Sequence, residues 1–140
     1  MKILVLQGPN LNLIGVRSAQ TGKRITLDKI NRTLRREVRN TEIELKIFQT
    51  HKIYMAISFL QRNRNAASGI LIAPMAWAKY EFSLLETLEL VQLPVVQISL
   101  EKIFDANQSI LSPIAIETVH NDDSILAFKN GLKFLIKHLS

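Results

Sequence analysis

Two asparagines and an arginine follow the first apolar run of the chain. Ile3–Leu6 is continuously apolar and ends at Gly8-Pro9, after which come Asn10, Asn12 and Arg17. An uninterrupted apolar run of this length is typical of a strand buried on both faces, as in a parallel sheet. Open α/β sheets bind ligands just beyond the carboxyl ends of such strands. The three polar side chains therefore predict a ligand-binding edge.

Several titratable side chains also come near predicted strand ends or in the loops that follow: His51, Lys79, Tyr80, Glu81 and Glu101. Amine, phenol, carboxyl and imidazole groups are the types that exchange protons with a substrate, so one hypothesis is a new acid-base set. The alternative is an exposed loop and a helix cap without a shared role.

Composition excludes several other kinds of chemistry. The chain has no cysteine, so disulfides and thiolate nucleophiles are ruled out. His120 and His138 lack ligand spacing, and we expect neither a metal nor another cofactor. The chain enters a strand at once and has no run of about 20 apolar residues, so a cytoplasmic protein is expected.

The elements that would position these groups alternate between strand and helix along 140 residues, which suits a single domain over 1–140. The predicted strands are 3–6, 42–48, 68–73, 94–98 and 114–119, and the predicted helices begin near 26, 53, 79 and 124. Thr26 and Asp28 are candidate caps, residues 18–24 are a predicted loop, and 42–48 is a candidate edge strand. Short connections require right-handed crossovers. The expected fold is a three-layer α/β sandwich with a five-stranded parallel sheet in the order 2-1-3-4-5.

Two surfaces suggest partners. The closing helix, 124–139, is apolar over more than one face, which fits either a contact with a second copy of the chain or a deep core helix. A basic surface surrounds the first long helix, consistent with the net charge of +6, and comprises Lys23, Arg24, Arg32, Arg35, Arg36 and Arg39. Such a surface can engage phosphates, but few aromatics accompany it and no nucleic-acid motif is present. A solvated face is the simpler interpretation, and no nucleic acid or membrane partner is expected.

The motifs of the chain resemble those of the type II 3-dehydroquinate dehydratases, small shikimate-pathway enzymes with a flavodoxin-like fold. The most specific stretch is residues 8–17, GPNLNLIGVR, followed by TLDKI at 26–30. Shorter matches recur through nearly the whole chain, at 49–50 (QT), 72–74 (IAP), 93–96 (LPVV) and 112–115 (SPIA).

The resemblance implies a specific elimination and a specific set of groups. In the family, a base removes a proton alpha to the ketone of 3-dehydroquinate, and an acid protonates the departing hydroxyl to give 3-dehydroshikimate and water. The base is a tyrosine in the loop after the first strand, held ionised by an arginine. The acid is a histidine at the end of the fourth strand.

Around the first strand, this chain retains part of the family's set. Arg17 matches the arginine, and Asn10 matches an asparagine that helps to hold the enolate. The spacing from Arg17 to Thr26 equals that of the family, so the position of the tyrosine is Gly22. The base is therefore absent from its expected place.

After the third strand, relatives have Asn-Pro-Gly-Ala and then a Thr-His pair that grips the substrate. Here the segment is APMAWAK at 73–79, so that the asparagine is replaced by Ala73 and the histidine by Lys79. Glu86 stands where relatives use an aspartate contributed across a subunit contact.

After the fourth strand, the acid and its orienting carboxylate are also replaced. Ser99 matches the histidine, and Gln97 matches the acidic residue. The backbone amides that receive the substrate carboxylate match Leu100 and Glu101, where a glutamate side chain opposes an anion. No arginine occurs between Lys102 and Ser112 to serve as the lid contact.

The sequence thus predicts a divergent family member that is inactive in the family reaction, with Arg17 keeping only its electrostatic role. The residues expected to bind a small anionic ligand are Asn10, Lys79, Glu86, Leu100 and Glu101. The alternatives are a residual or altered lyase or binding activity at the same cleft, and an interaction protein that uses the basic helix. A homo-oligomer is expected, with the family's trimer-based dodecamer as one form.

Overall fold

The computed structural model describes residues 1–20, 22, 24–100 and 108–140, with the Arg17 side chain left out. Five parallel strands form one sheet in the order β2-β1-β3-β4-β5, which confirms the predicted fold class and strand order. The strands are β1 (Lys2–Gln7), β2 (Glu44–Gln49), β3 (Gly69–Ala73), β4 (Val95–Leu100) and β5 (Glu117–Asn121). The helices are α1 (Ile14–Ala19), α2 (Leu27–Glu37), α3 (Ile53–Asn63), α4 (Trp77–Tyr80), α5 (Phe82–Val91) and α6 (Ser124–Leu139).

Helices cover both faces of the sheet. The buried residues of α2 and α6 pack with Ile3, Val5 and Ile98 on one face, whereas those of α3 and α5 pack with Leu4, Leu6 and Ile70 on the other. Alternate residues of these strands therefore face opposite layers of helices, and this explains why β1, β3 and β4 are buried along almost their whole length. No helix in the described part of the chain is long and apolar enough to cross a membrane.

Local signals explain several boundaries. The Thr26 side chain accepts a hydrogen bond from the Lys29 backbone N–H, and the Asp123 side chain accepts from Ile125 and Leu126. These N-caps fix the beginnings of α2 and α6. The predicted edge position of β2 is also confirmed, since β2 pairs only with β1 among the described strands.

Three predicted boundaries were wrong. Ser18 and Ala19 belong to α1 rather than to a loop. The buried Ser18 hydroxyl lies within hydrogen-bond distance of the carbonyl oxygens of Gly15 and Ile25, and these contacts hold the end of the helix in place. The helix predicted from 79 to 90 is broken at Glu81, whose backbone leaves helical geometry. The fifth strand begins at Glu117 instead of Ile114, because Ile114 and Ala115 donate to Leu111 in a turn.

The ends of β1 and β3 approach each other too closely for a side chain between them. The Gly8 N–H donates to the Ala73 carbonyl at 2.9 Å. A Cβ placed on Gly8 would lie 2.4 Å from the Pro74 carbonyl oxygen, which is backbone and has little freedom to move. Glycine is therefore required at this turn for lack of space.

Gly8→Ala should lower the free energy of unfolding by about 1–3 kcal/mol, because the added methyl group must push apart two hydrogen-bonded strand ends. Gly15→Ala is the matched control, since the nearest atom to its added Cβ is 3.4 Å away. Urea denaturation of both variants measures the difference. An equal effect of the two substitutions would contradict the steric explanation.

Candidate functional site

The carboxyl ends of all five strands meet at one edge of the sheet, as parallel pairing requires. The predicted site residues Asn10, Arg17, Lys79 and Leu100 are in, or follow, strands that end at this edge. Glu101 lies outside the described residues, and so does the side chain of Arg17. Glu86 is exposed in the middle of α5, and it is therefore not next to the end of a strand.

Asn10 connects the ends of β1 and β2. Its backbone is left-handed, with φ of 68°, a conformation that asparagine tolerates better than most residues. Its backbone N–H donates to Nδ1 of His51 at 3.2 Å, and both residues are exposed. This contact places the His51 imidazole beside the Asn10 turn. The sequence suggested instead that His51 belongs to the hypothetical acid-base set.

Apolar side chains fill the space at the end of β3. Ala73 is fully buried, and Met75 is only 6% exposed although its φ is 54°. Met75 packs in the same core as Leu11 and Leu100, whereas Trp77 enters the core on the other face. A methionine in the left-handed region indicates that burial of the side chain outweighs backbone strain of the order of 1 kcal/mol. The resemblance expects a glycine at this position, which would leave the same volume open.

A neutral hydrogen-bond network replaces the expected carboxylate on β4. Gln97 is fully buried. Its Nε2 donates to the hydroxyls of Ser112 at 3.1 Å and Thr118 at 3.0 Å, and its Oε1 accepts from Ser109. The network joins β4, β5 and the segment between them. A buried amide satisfied in this way avoids the large desolvation penalty of a buried carboxylate.

Ser99 is opposite His120 in the pairing of β4 with β5. The Ser99 hydroxyl oxygen lies 3.2 Å from Nδ1 of His120, and Nε2 of the same ring lies 3.6 Å from a carboxylate oxygen of Asp122. Ser99 is 1% exposed, whereas the His120 side chain is 49% exposed. An imidazole therefore sits next to the position where the resemblance expects the acid, but it comes from the neighbouring strand.

Sequence reasoning missed His120 as a site residue. The predicted fifth strand ended at Val119, one residue before it, so His120 had no place in the sheet. The observed strand begins at Glu117 and ends at Asn121, so it both begins and ends later than the predicted strand and includes His120. That boundary depends on the turn at 111–115, which short-range patterns did not reveal.

The hypothesis of a new acid-base set gains no support from the described members of that set. Lys79 and Tyr80 are exposed on α4, and the Glu81 carboxylate accepts from the hydroxyl of Ser83. Within the described residues, no hydrogen bond joins His51, Lys79, Tyr80 and Glu81 to one another. No group of three His, Asp or Glu side chains in the described ranges is arranged to hold a metal ion.

The basic surface is partly neutralised by its own neighbours. Arg32 pairs with Asp28 at 3.1 Å, and the Glu37 carboxylate is 3.4 Å from Lys129. Exposed cations nevertheless surround α2, and Lys29, Arg32 and Arg36 line a shallow cavity of about 240 Å³ with Thr33 and Ile125.

The strand order and the helices on both faces define a flavodoxin-like α/β protein. The family model described as "Dehydroquinase class II" matches residues 1–133. The chain is 32% identical to a 3-dehydroquinate dehydratase of Geotalea daltonii over 145 residues, covering 99% of both chains. It is 32% identical to that of Halothermothrix orenii over 119 residues, covering 82% of this chain and 80% of the relative.

Two solved structures have the same fold. The type II dehydroquinase from Butyrivibrio crossotus superposes with a TM-score of 0.84 at 21% identity, covering 97% of both chains. A 3-dehydroquinate dehydratase-like protein from Bifidobacterium longum superposes with a TM-score of 0.73 at 20% identity, covering 100% of this chain and 98% of the other. The chain belongs to the type II 3-dehydroquinate dehydratase family.

Gln97→Leu should lower the free energy of unfolding by about 2–4 kcal/mol, because it removes three hydrogen bonds and leaves buried hydroxyls to find new partners. Gln61→Leu is the control, since Gln61 is exposed on α3 and surface substitutions usually change stability by less than about 0.5 kcal/mol. Chemical denaturation compares the two variants. A stability loss for Gln97→Leu no larger than for the control would show that the network contributes little.

Proposed function

We propose that this protein has lost the dehydration of 3-dehydroquinate and keeps the cleft as a binding site for a small anion. The observation that carries the proposal is Gly22 at the position of the family's base. It has no side chain, and its φ of 82° favours glycine over other residues. Neither tyrosine of the chain lies in the loop after β1, since Tyr54 is on α3 and Tyr80 on α4.

The replacements on the other strands support the same conclusion. Ser99 and Gln97 supply neutral hydroxyl and amide groups where an imidazole and a carboxylate are expected, so proton delivery from β4 is lost. Ala73 has no hydrogen-bonding side chain for the substrate, and the buried Met75 narrows the space in front of it. Base, acid and substrate contacts have therefore changed together.

The charges that remain at the edge favour an anionic ligand. Arg17 and Lys79 are cations, and Asn10 adds an exposed amide. The backbone amides of Leu100 and Glu101 match those that receive the substrate carboxylate in the family. Positive groups around a cleft raise the local concentration of anions. An altered lyase activity remains the alternative use of the same cleft.

The purified protein should not convert 3-dehydroquinate to its conjugated product. Loss of either a general base or a general acid typically lowers a rate by ~10²–10⁴-fold, so loss of both should lower turnover by at least that factor. Ultraviolet absorbance of the enone measures product formation. The Geotalea daltonii relative is the positive control, and turnover at a comparable rate by this protein would refute the loss of activity.

We also propose that α5 forms a contact between copies of this chain. Phe82 and Leu90 are 65% and 73% exposed, and the exposed Glu86 lies between them at a spacing of four residues from each. Residues four apart lie on one side of a helix. The stripe of Phe82, Glu86 and Leu90 thus combines apolar surface with the residue that matches the family's cross-subunit aspartate.

The double variant Phe82→Ser/Leu90→Ser should shift the protein to a smaller assembly, because it removes the exposed apolar side chains of the stripe. Light scattering coupled to size exclusion measures the mass. Tyr54→Ser is the control, since it removes a comparably exposed side chain, 62% exposed, from α3. A monomeric parent protein, or an unchanged mass in the double variant, would contradict the proposal.

A further inference from the structure

His120 has a defined orientation at the carboxyl edge of the sheet. It pairs with Ser99 in the β4–β5 ladder, and its Nδ1 lies 3.2 Å from the Ser99 hydroxyl oxygen. The serine lies on the same face of β4 as Gln97, two residues earlier, which three hydroxyls hold in place. The backbone and side chains that position the ring are therefore well fixed.

The second ring nitrogen is the one available to a ligand. Nε2 lies 3.6 Å from a carboxylate oxygen of Asp122, an exposed charge contact beyond hydrogen-bond distance that an anionic ligand has to displace. The Asp122 side chain is 91% exposed and half of the imidazole is exposed. An oxygen atom of a small ligand can approach Nε2 without displacing a buried contact.

Burial of Ser99 decides its role in the pair. At 1% exposure its hydroxyl cannot reach the carbonyl of a substrate, so the Ser99, His120 and Asp122 arrangement does not act as a nucleophilic triad. His120 and Asp122 alone supply too few ligands for a zinc site. The Ser99 hydroxyl therefore orients the His120 ring through Nδ1, and Nε2 is on the exposed side of the ring.

We propose that His120 is a ligand-binding residue of the cleft, which donates a hydrogen bond from Nε2 to a carboxylate, carbonyl or hydroxyl oxygen of a small hydroxy or keto acid. Ser99 is the positioning residue for the ring. The imidazole thereby contacts the ligand from β5. In the family the histidine belongs to β4, which is the neighbouring strand, about 4.8 Å away. The inference rests on the proposed function, namely that the cleft binds a small anion.

The test uses the full chain and 3-dehydroquinate as the probe. Long-range proton–nitrogen spectra follow the three imidazoles, and calorimetry measures the dissociation constant. The His120 nitrogen signals should shift on addition of 3-dehydroquinate. His120→Leu and His120→Ala, which remove the donor, should each weaken binding about tenfold to a hundredfold, as expected for loss of a strong hydrogen bond. Ser99→Ala should change the tautomer signature of the His120 ring before any ligand is added.

His138→Leu is the matched control and should bind the probe like the parent. His138 is exposed in the last turn of α6, whose neighbouring Leu139 packs against Gly69 at the beginning of β3, at the opposite edge of the sheet. Thermal unfolding of each variant shows whether it is folded. The half-exposed position of His120 on an edge strand makes folding of both substitutions the expected result.

The outcomes separate this inference from the proposed function. If the probe shifts the Asn10 amide but leaves His120 unchanged, and His120→Leu binds equally well, the role of His120 is refuted while anion binding stands. If no amide responds to the probe, anion binding is refuted and the role of His120 with it. If the protein turns over 3-dehydroquinate, the loss of activity is refuted, and an unchanged kcat/KM in His120→Leu would then refute the role of His120.

Discussion

The parallel pairing of β1 with both β2 and β3 is the constraint on which the site depends. It brings the ends of three strands to one edge, and the Gly8 N–H donating to the Ala73 carbonyl closes the gap between two of them. A Cβ at Gly8 would meet the Pro74 backbone at 2.4 Å. The loops that leave these strands, with Asn10 on one and Met75 on the other, take their positions from this contact.

The edge of this protein is less polar than the resemblance to its family implies. Met75 and Leu100 join the core on one side, and an uncharged network around Gln97 occupies the other. Both arrangements consist of packed or hydrogen-bonded neutral groups. They avoid a buried charge, which is costly unless it is paired. Under the proposed loss of the elimination, no developing charge has to be stabilised at this edge.

The proposed function depends on charge rather than on groups that move protons. Lys79 is an exposed cation on α4, which follows β3, and His120 adds an imidazole on β5. Binding an anion requires only favourable charge and hydrogen-bond donors, whereas catalysis requires a base and an acid at opposite sides of one substrate. The proposed function assigns only the first requirement to this chain.

The sequence by itself determined the family, the alternation of strand and helix, the sheet order and the positions of Ala73, Gln97 and Ser99 in the site. These features follow from local periodicity, turn residues and motif spacing, which a linear chain displays directly. Only the tertiary structure decided that α1 includes Ser18, that β5 begins at Glu117, and that His120 therefore stands opposite Ser99. Each depends on hydrogen bonds between residues of different elements or turns, and strand register in particular is set by the partner strand rather than by the pattern of the strand itself.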